Sequence, residues 1–114
     1  MNTDRDLLEA AAKTAGLHVD MRSPLPDYLW VREIKLHGPY RSWNPLTDDG
    51  DALRLAVSLR IEIEPWIHGD SDCARAAVGE ILIDVQHCGA GPCRATRHAI
   101  VRAAAEIGRL LGDA

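Results

Sequence analysis

Apolar positions along this chain recur with two periods, 3.6 and 2, and the points where one gives way to the other mark the elements. Leu8, Ala11, Ala12 and Ala15 fall at helical spacing behind Thr3, an N-cap residue, with Asp4 and Asp6 at the positive end of the helix dipole; Gly16 ends the run. Leu17, Val19 and Met21 then alternate as a short strand until the Pro24 to Pro26 segment breaks the pattern. From Tyr28 to His37, β-branched and aromatic residues predict a second strand, with Ile34 and Leu36 on one face and Gly38-Pro39 as its stop.

Asn44 and Pro45 predict a turn, because the residue before proline is pushed out of the helical region. A second helix follows, capped by Thr47 or Asp48, with Asp48, Asp49 and Asp51 crowding its first turn. Ala52, Leu55, Ala56 and Leu59 form its buried stripe, supported by Leu53 and Val57. The period changes to two at Arg60: Leu59, Ile61 and Ile63 alternate with Arg60, Glu62 and Glu64 as far as Pro65, a half-buried strand. His68 to Cys73 reads as a loop leading to a strand from about Ala76 to Gln86, so that the two strands form a long-looped hairpin. Pro92 suits the first turn of a final helix reaching about Leu111, with Ile100, Ala103, Ala104, Ile107 and Leu111 as its apolar stripe.

Helix, strands, helix, hairpin, helix is an order without regular βαβ alternation. It predicts an α+β fold, a small and mostly antiparallel sheet of three to four strands packed with three helices as a layered sandwich. The 114 residues suffice for one domain, residues 1–114, and leave little for a second core. Alanine-rich helical stripes permit close approach to the sheet, and with no Phe in the chain at least one of Trp30, Trp43 and Trp66 is expected in the core.

Composition narrows the function classes. An apolar fraction of 46% with 26% charged residues is that of a soluble globular protein, and no apolar run approaches the roughly 20 residues that span a bilayer. The acidic start MNTDRDLLEA does not resemble a secretion signal, which places the protein in the cytoplasm. Cys73, Cys88 and Cys93 are an odd set, expected as thiols there. A net charge of −4 argues against general nucleic-acid binding, which draws on clustered Lys and Arg.

Two strings, WNPLTDDGDALRLAV from Trp43 to Val57 and ATRHAIVRAAAEIGR from Ala95 to Arg109, resemble signatures of small phage- and prophage-encoded proteins similar to the phage ABA sandwich domain. The opening DRDLLEAAAKTAGL looks like the same group, so the resemblance touches roughly half of the chain. It implies a compact layered domain and a phage accessory role inside a bacterial host, and it brings no catalytic residues with it. The segment HCGAGPC, from His87 to Cys93, departs from the ordinary polar turn expected before ATR.

Arg94, Arg97, His98, Arg102 and Arg109 fall along one broad stripe of the last helix, where guanidinium forks and the free N–H groups near Pro92 suit phosphate; the competing reading is a solvated face with Arg102 and Glu106 as an i, i+4 pair. Asp48, Asp49 and Asp51 superficially resemble a calcium loop, but counting from Asp48 puts Gly50, Ala52 and Leu59 where oxygen ligands are needed, so capping explains them better. His87, Cys88, Cys93 and His98 carry zinc-ligating atoms in an irregular spacing. Cys93, beside Pro92 and Arg94, is the one thiol placed for activation, and no serine sits in a nucleophile motif. Trp43 and Asn44 precede the second helix and could offer an aromatic ring and an amide to a ligand, or pack over the helix start.

These features predict a protein without enzymatic activity or cofactor that acts by stoichiometric binding. Its partner would be a small nucleotide, held by Trp43, Asn44, Arg94, Arg97, His98 and Arg102 and completed by a second subunit, or a host defence protein. The alternatives are a protein-interaction module without a small ligand and a small zinc protein.

Overall fold

The computed structural model describes residues 3–20, 29–33, 39–69, 71–88 and 91–112. In chain order they form α1 (Asp4–Thr14), β1 (Leu17–Val19), β2 (Leu29–Glu33), β3 (Arg41–Trp43), α2 (Asp49–Leu59), β4 (Glu62–His68), β5 (Ser71–Val78), β6 (Ile81–Cys88) and α3 (Pro92–Gly112). The fold is α+β, and the strands divide into two antiparallel three-stranded sheets, ordered β1-β2-β3 and β4-β5-β6. No described helix is long and apolar enough to cross a membrane.

The helix ends follow from local chemistry. Thr3 caps α1 by accepting from the Asp6 N–H at 3.1 Å, and Asp48, rather than Thr47, caps α2 by accepting from the Asp51 N–H at 2.8 Å. Arg60 closes α2 in the left-handed region, φ 59°, with its N–H on Val57 O and the Ile61 N–H on Ala56 O. The second bond is the 6→1 closure of a Schellman motif, so Arg60 ends the helix and the strand begins only at Glu62.

Helix α3 is the hub: it packs against α1, α2 and all three strands of the second sheet. Being enclosed on several sides requires small residues, and Ala95, Ala99, Ala103 and Ala104 are all 0% exposed. The inward face of the second sheet meets it with Ala74, Ala76 and Val85, and the first sheet contributes Leu17, Leu29, Val31 and Trp43 to the same core. Where α1 crosses α3, a Cβ added at Gly108 would stand 2.3 Å from the Thr14 hydroxyl oxygen, so glycine there sets how closely the helices approach.

Several expectations are corrected. The run from Ala76 to Gln86 is two strands, β5 and β6, joined by the two-residue loop Gly79-Glu80 with Gly79 at φ +60°, the conformation such hairpins require. The stretch from His68 to Cys73 is a tight hairpin, since His68 pairs with Ser71. β4 continues through Pro65, which is tolerated because β4 is an edge strand. β3, not expected from the pattern, pairs Leu29 with Trp43 and carries that tryptophan into the core. Leu53 and Val57 do not support the buried stripe; they are exposed. Met21, the Pro24 to Pro26 break, Tyr28 and the Ile34 to Gly38 end of the second strand lie outside the described residues.

Candidate functional site

The Trp43 to Asp51 segment is a structural junction. Trp43 is 3% exposed, held by its pairing with Leu29 and packed with the apolar core. Asn44 is buried; its side-chain oxygen accepts from the Leu46 N–H at 2.9 Å, and its own N–H donates to Asp51 Oδ2 at 2.9 Å. Asp51, 7% exposed, also accepts from Arg54 through Oδ1 at 2.8 Å. Asp51 thereby bolts the turn to the helix it precedes, and Trp43 offers no ring face to a ligand. Of the two readings of Trp43 and Asn44, their burial is that of packing over the helix start.

The basic stripe of α3 is divided between two sides of the helix. Arg97, with its side chain 18% exposed, donates through Nε to Leu46 O at 2.8 Å and through Nη1 to Asp49 at 2.6 Å, fastening α3 to the start of α2. His98 and Arg102 turn the other way and line an open groove of about 850 Å³ between α1, α3 and β6, together with Lys13 and Arg109; Arg94 is exposed at the helix start. This groove mixes signs, for Asp6, Glu9 and Glu106 share it. Glu9 pairs with Arg5, and Glu106 accepts from Arg109, whose hydrogen bonds hold the Glu106 carboxyl below the usual carboxylate range with Arg102 adding to the effect. The stripe is therefore balanced by carboxylates rather than gathered into one anion pocket.

The zinc-ligating atoms are also spread. Cys93 lines a groove on the α2 side of α3, whereas His98 lines the α1 side. The side chains of His87 and Cys88 lie outside the described residues, and among the described residues no three of His, Cys, Asp or Glu converge on a point that could hold a metal ion. Asp49 and Asp51 are taken up by Arg97 and by Asn44 and Arg54, so the acidic cluster serves the junction.

What sequence reasoning missed is an apolar surface. A groove of about 220 Å³ opens between α2, β4 and the start of α3, lined by Ala52, Leu53, Ile63, Pro65, Cys93 and Ile100 among others, and its walls are almost wholly apolar. Leu53 is 59% exposed and Ile63 41%; Val57, one turn further along α2, is 68% exposed, and Ile67, four residues on along the same face of β4, is 71% exposed. Leu53 and Ile63 thus face solvent at the groove itself, and Val57 and Ile67 extend the exposed apolar surface along α2 and β4; clustered exposed apolar side chains are characteristic of interaction surfaces. The signal was present in α2, whose apolar residues 52, 53, 55, 56, 57 and 59 cover more of the helix than one buried stripe uses. No protein-family model, curated protein or solved structure matches this chain.

Proposed function

We propose that the protein is a stoichiometric binding factor that acts on another protein, seating it on the surface where α2 meets β4. The observation that carries this reading is the apolar groove lined by exposed Leu53 and Ile63, with exposed Val57 and Ile67 further along the same two elements. Covering these side chains removes apolar area from water at about 25 cal/mol per Å² and leaves few polar groups to satisfy. Half-buried Arg97 and Thr96 and exposed Asp49 at the rim supply polar edges to the patch. The resemblance of the first helix, the Trp43 to Val57 segment and the last helix to phage and prophage proteins makes a phage accessory role, with a bacterial defence protein as the target, the biological form of the proposal.

The test is affinity capture from bacterial lysate, followed by calorimetry with the recovered partner. Leu53→Ser combined with Val57→Ser removes apolar area at exposed positions, where substitutions cost about 0.5 kcal/mol of stability or less each. The double variant should fold normally and bind at least about tenfold more weakly, the expected effect of losing an anchor worth more than 1.4 kcal/mol. Unchanged affinity in the double variant, or capture of no partner, defeats the proposal.

A further inference from the structure

The two edges of the second sheet are finished differently. Two-residue loops join its strands, with His68 opposite Ser71 and Val78 opposite Ile81. The residues flanking such a loop form a hydrogen-bonded pair, and the direction of the backbone N–H and C=O then alternates along each strand. In β4 the even-numbered residues from Glu62 to His68 therefore bond to β5, and Ile63, Pro65 and Ile67 turn their backbone outward. In β6 the odd-numbered residues bond to β5, and Leu82, Asp84, Gln86 and Cys88 turn theirs outward. The outer edge of β4 is interrupted at its middle by Pro65, which has no N–H to offer. That of β6 runs through eight residues without a proline.

The side chains of β6 leave that edge clear. Asp84 is drawn back over β5 by Arg75, which donates to it through Nε at 2.8 Å and Nη2 at 3.3 Å, and the Gln86 amide donates to Ser71 Oγ at 3.0 Å. Leu82 is 56% exposed, and Asp84 and Gln86 are exposed with it. On the inward side the open groove between α1, α3 and β6 comes up to Ile83, so a further strand meets space there. Among the described residues no strand pairs with this edge. A long edge without a proline is a template for another strand.

We infer that two copies of the chain join by antiparallel pairing of β6 with β6, about a two-fold axis beside Val85. Self-pairing sets outward-turned residues opposite outward-turned residues, and in β6 these are the even-numbered ones. Two registers then keep nearly the whole strand paired, one centred on Asp84 and one on Val85. The first sets Asp84 directly against Asp84 of the partner subunit, and like charges in that position oppose pairing. The second sets Asp84 beside Gln86 of the partner subunit, a carboxylate next to an amide, and the axis repeats the contact. The chain thus carries the complement to its own edge, which selects a second copy as the occupant. The product is one continuous sheet in the order β4-β5-β6-β6-β5-β4. Its remaining edges are both β4, and Pro65 blunts them, so assembly closes at two copies instead of running on as a filament.

The test is analytical ultracentrifugation of the whole chain over a concentration series, paired with amide hydrogen exchange by nuclear magnetic resonance. The expected mass is twice the 12.5 kDa of one chain. The Leu82, Asp84 and Gln86 N–H groups should be protected in the dimer and exchange at least about tenfold faster on dilution to the monomer, while those of Ile83 and Val85 stay protected. Gln86→Pro places at an outward-turned position the same block that Pro65 provides in β4, and should weaken association at least about tenfold while keeping the wild-type circular dichroism spectrum. If that variant does not fold, the exchange pattern of the wild-type chain decides. In a mixed-isotope sample the Ile83 Hα should lie against the His87 Hα of the partner subunit, as the Val85 register requires. A monomer at about 1 mM, a dimer whose even-numbered β6 amides exchange freely, undiminished association of folded Gln86→Pro, or an Ile83 to Val85 contact between subunits would each overturn the inference. Leu53→Ser with Val57→Ser should leave the dimer intact, and its loss there would also overturn the inference by moving the interface to α2 and β4. The two surfaces share no residue, so failure here leaves the proposed protein-binding surface standing, and the reverse.

Discussion

Asp51 is the residue on which the Trp43 to Val57 segment depends, and its removal gives a measurable account of that segment. Asp51→Ala deletes the acceptor for the buried Asn44 N–H at 2.9 Å, the acceptor for Arg54 at 2.8 Å, and a carboxylate in the first turn of α2. Leaving a buried N–H without its charged acceptor costs about 2 kcal/mol. Loss of the helix-dipole interaction adds about 0.5 kcal/mol, and the Arg54 pair, whose guanidinium side is 68% exposed, adds less than about 0.5 kcal/mol. The sum is about 3 kcal/mol. Asp48→Ala, which removes only the exposed cap to the Asp51 N–H, should cost about 1 kcal/mol. Asp51→Asn keeps an acceptor without the charge and should fall between them. Urea denaturation followed by circular dichroism measures all three under one set of conditions, with unchanged slope confirming that the denatured state is the same. If Asp51→Ala costs no more than Asp48→Ala, the bolt described here carries no weight and Asp51 is simply another first-turn acid.

Two further outcomes follow from the ion pairs. Arg97→Ala should destabilise the protein by about 2 kcal/mol, because its Nε bond to the Leu46 carbonyl is lost from a largely buried position, while Arg97→Lys should recover about half; equal stability of Ala and wild type in urea melts would contradict the fastening role. Arg75, hydrogen-bonded to Asp84 through Nε and Nη2, holds the Asp84 carboxyl below its ordinary value. A depressed folded-state value means that the stabilising contribution is present above the unfolded carboxylate range and fades as pH falls through the folded one. Arg75→Ala should therefore move the Asp84 titration up to the ordinary range by carboxyl NMR and weaken the acid dependence of stability; an unmoved Asp84 titration would rule out the pair as its cause.

The three helices were legible because each carries both a periodic stripe and local end signals: Thr3 and Gly16, Asp48 and the turn before it, Pro92 at the start of α3. The second sheet was half legible. Ala76 and Val78 share one parity and Ile81, Ile83 and Val85 the other, and that shift at Gly79-Glu80 is the hairpin that an uninterrupted reading ran through. Trp43 could not be placed from local sequence, since a tryptophan beside a turn packs or projects according to its strand partner, and its partner is Leu29, fourteen residues away in sequence. Alternation told which residues of a strand share a face, but not which strands adjoin.

The division of the arginine stripe shows how position in the fold, rather than residue type, decides which surfaces remain for binding. Successive residues on α3 point about 100° apart, so Arg97 and His98 are directed to different neighbours, one to α2 and one to the α1 groove. Because α3 is enclosed by two helices and a sheet, its interior is mostly alanine, with Ala95, Ala99, Ala103 and Ala104 beside Ile100 and Val101. The larger apolar residues Leu53, Val57, Ile63 and Ile67 are left exposed on α2 and β4, where they contribute little to the stability of the isolated chain and oppose its solubility. Alanine at the crowded hub and leucine, valine and isoleucine exposed on α2 and β4 are the contrast on which the proposed binding surface rests. The proposed use, to be covered by another protein, requires no new chemistry.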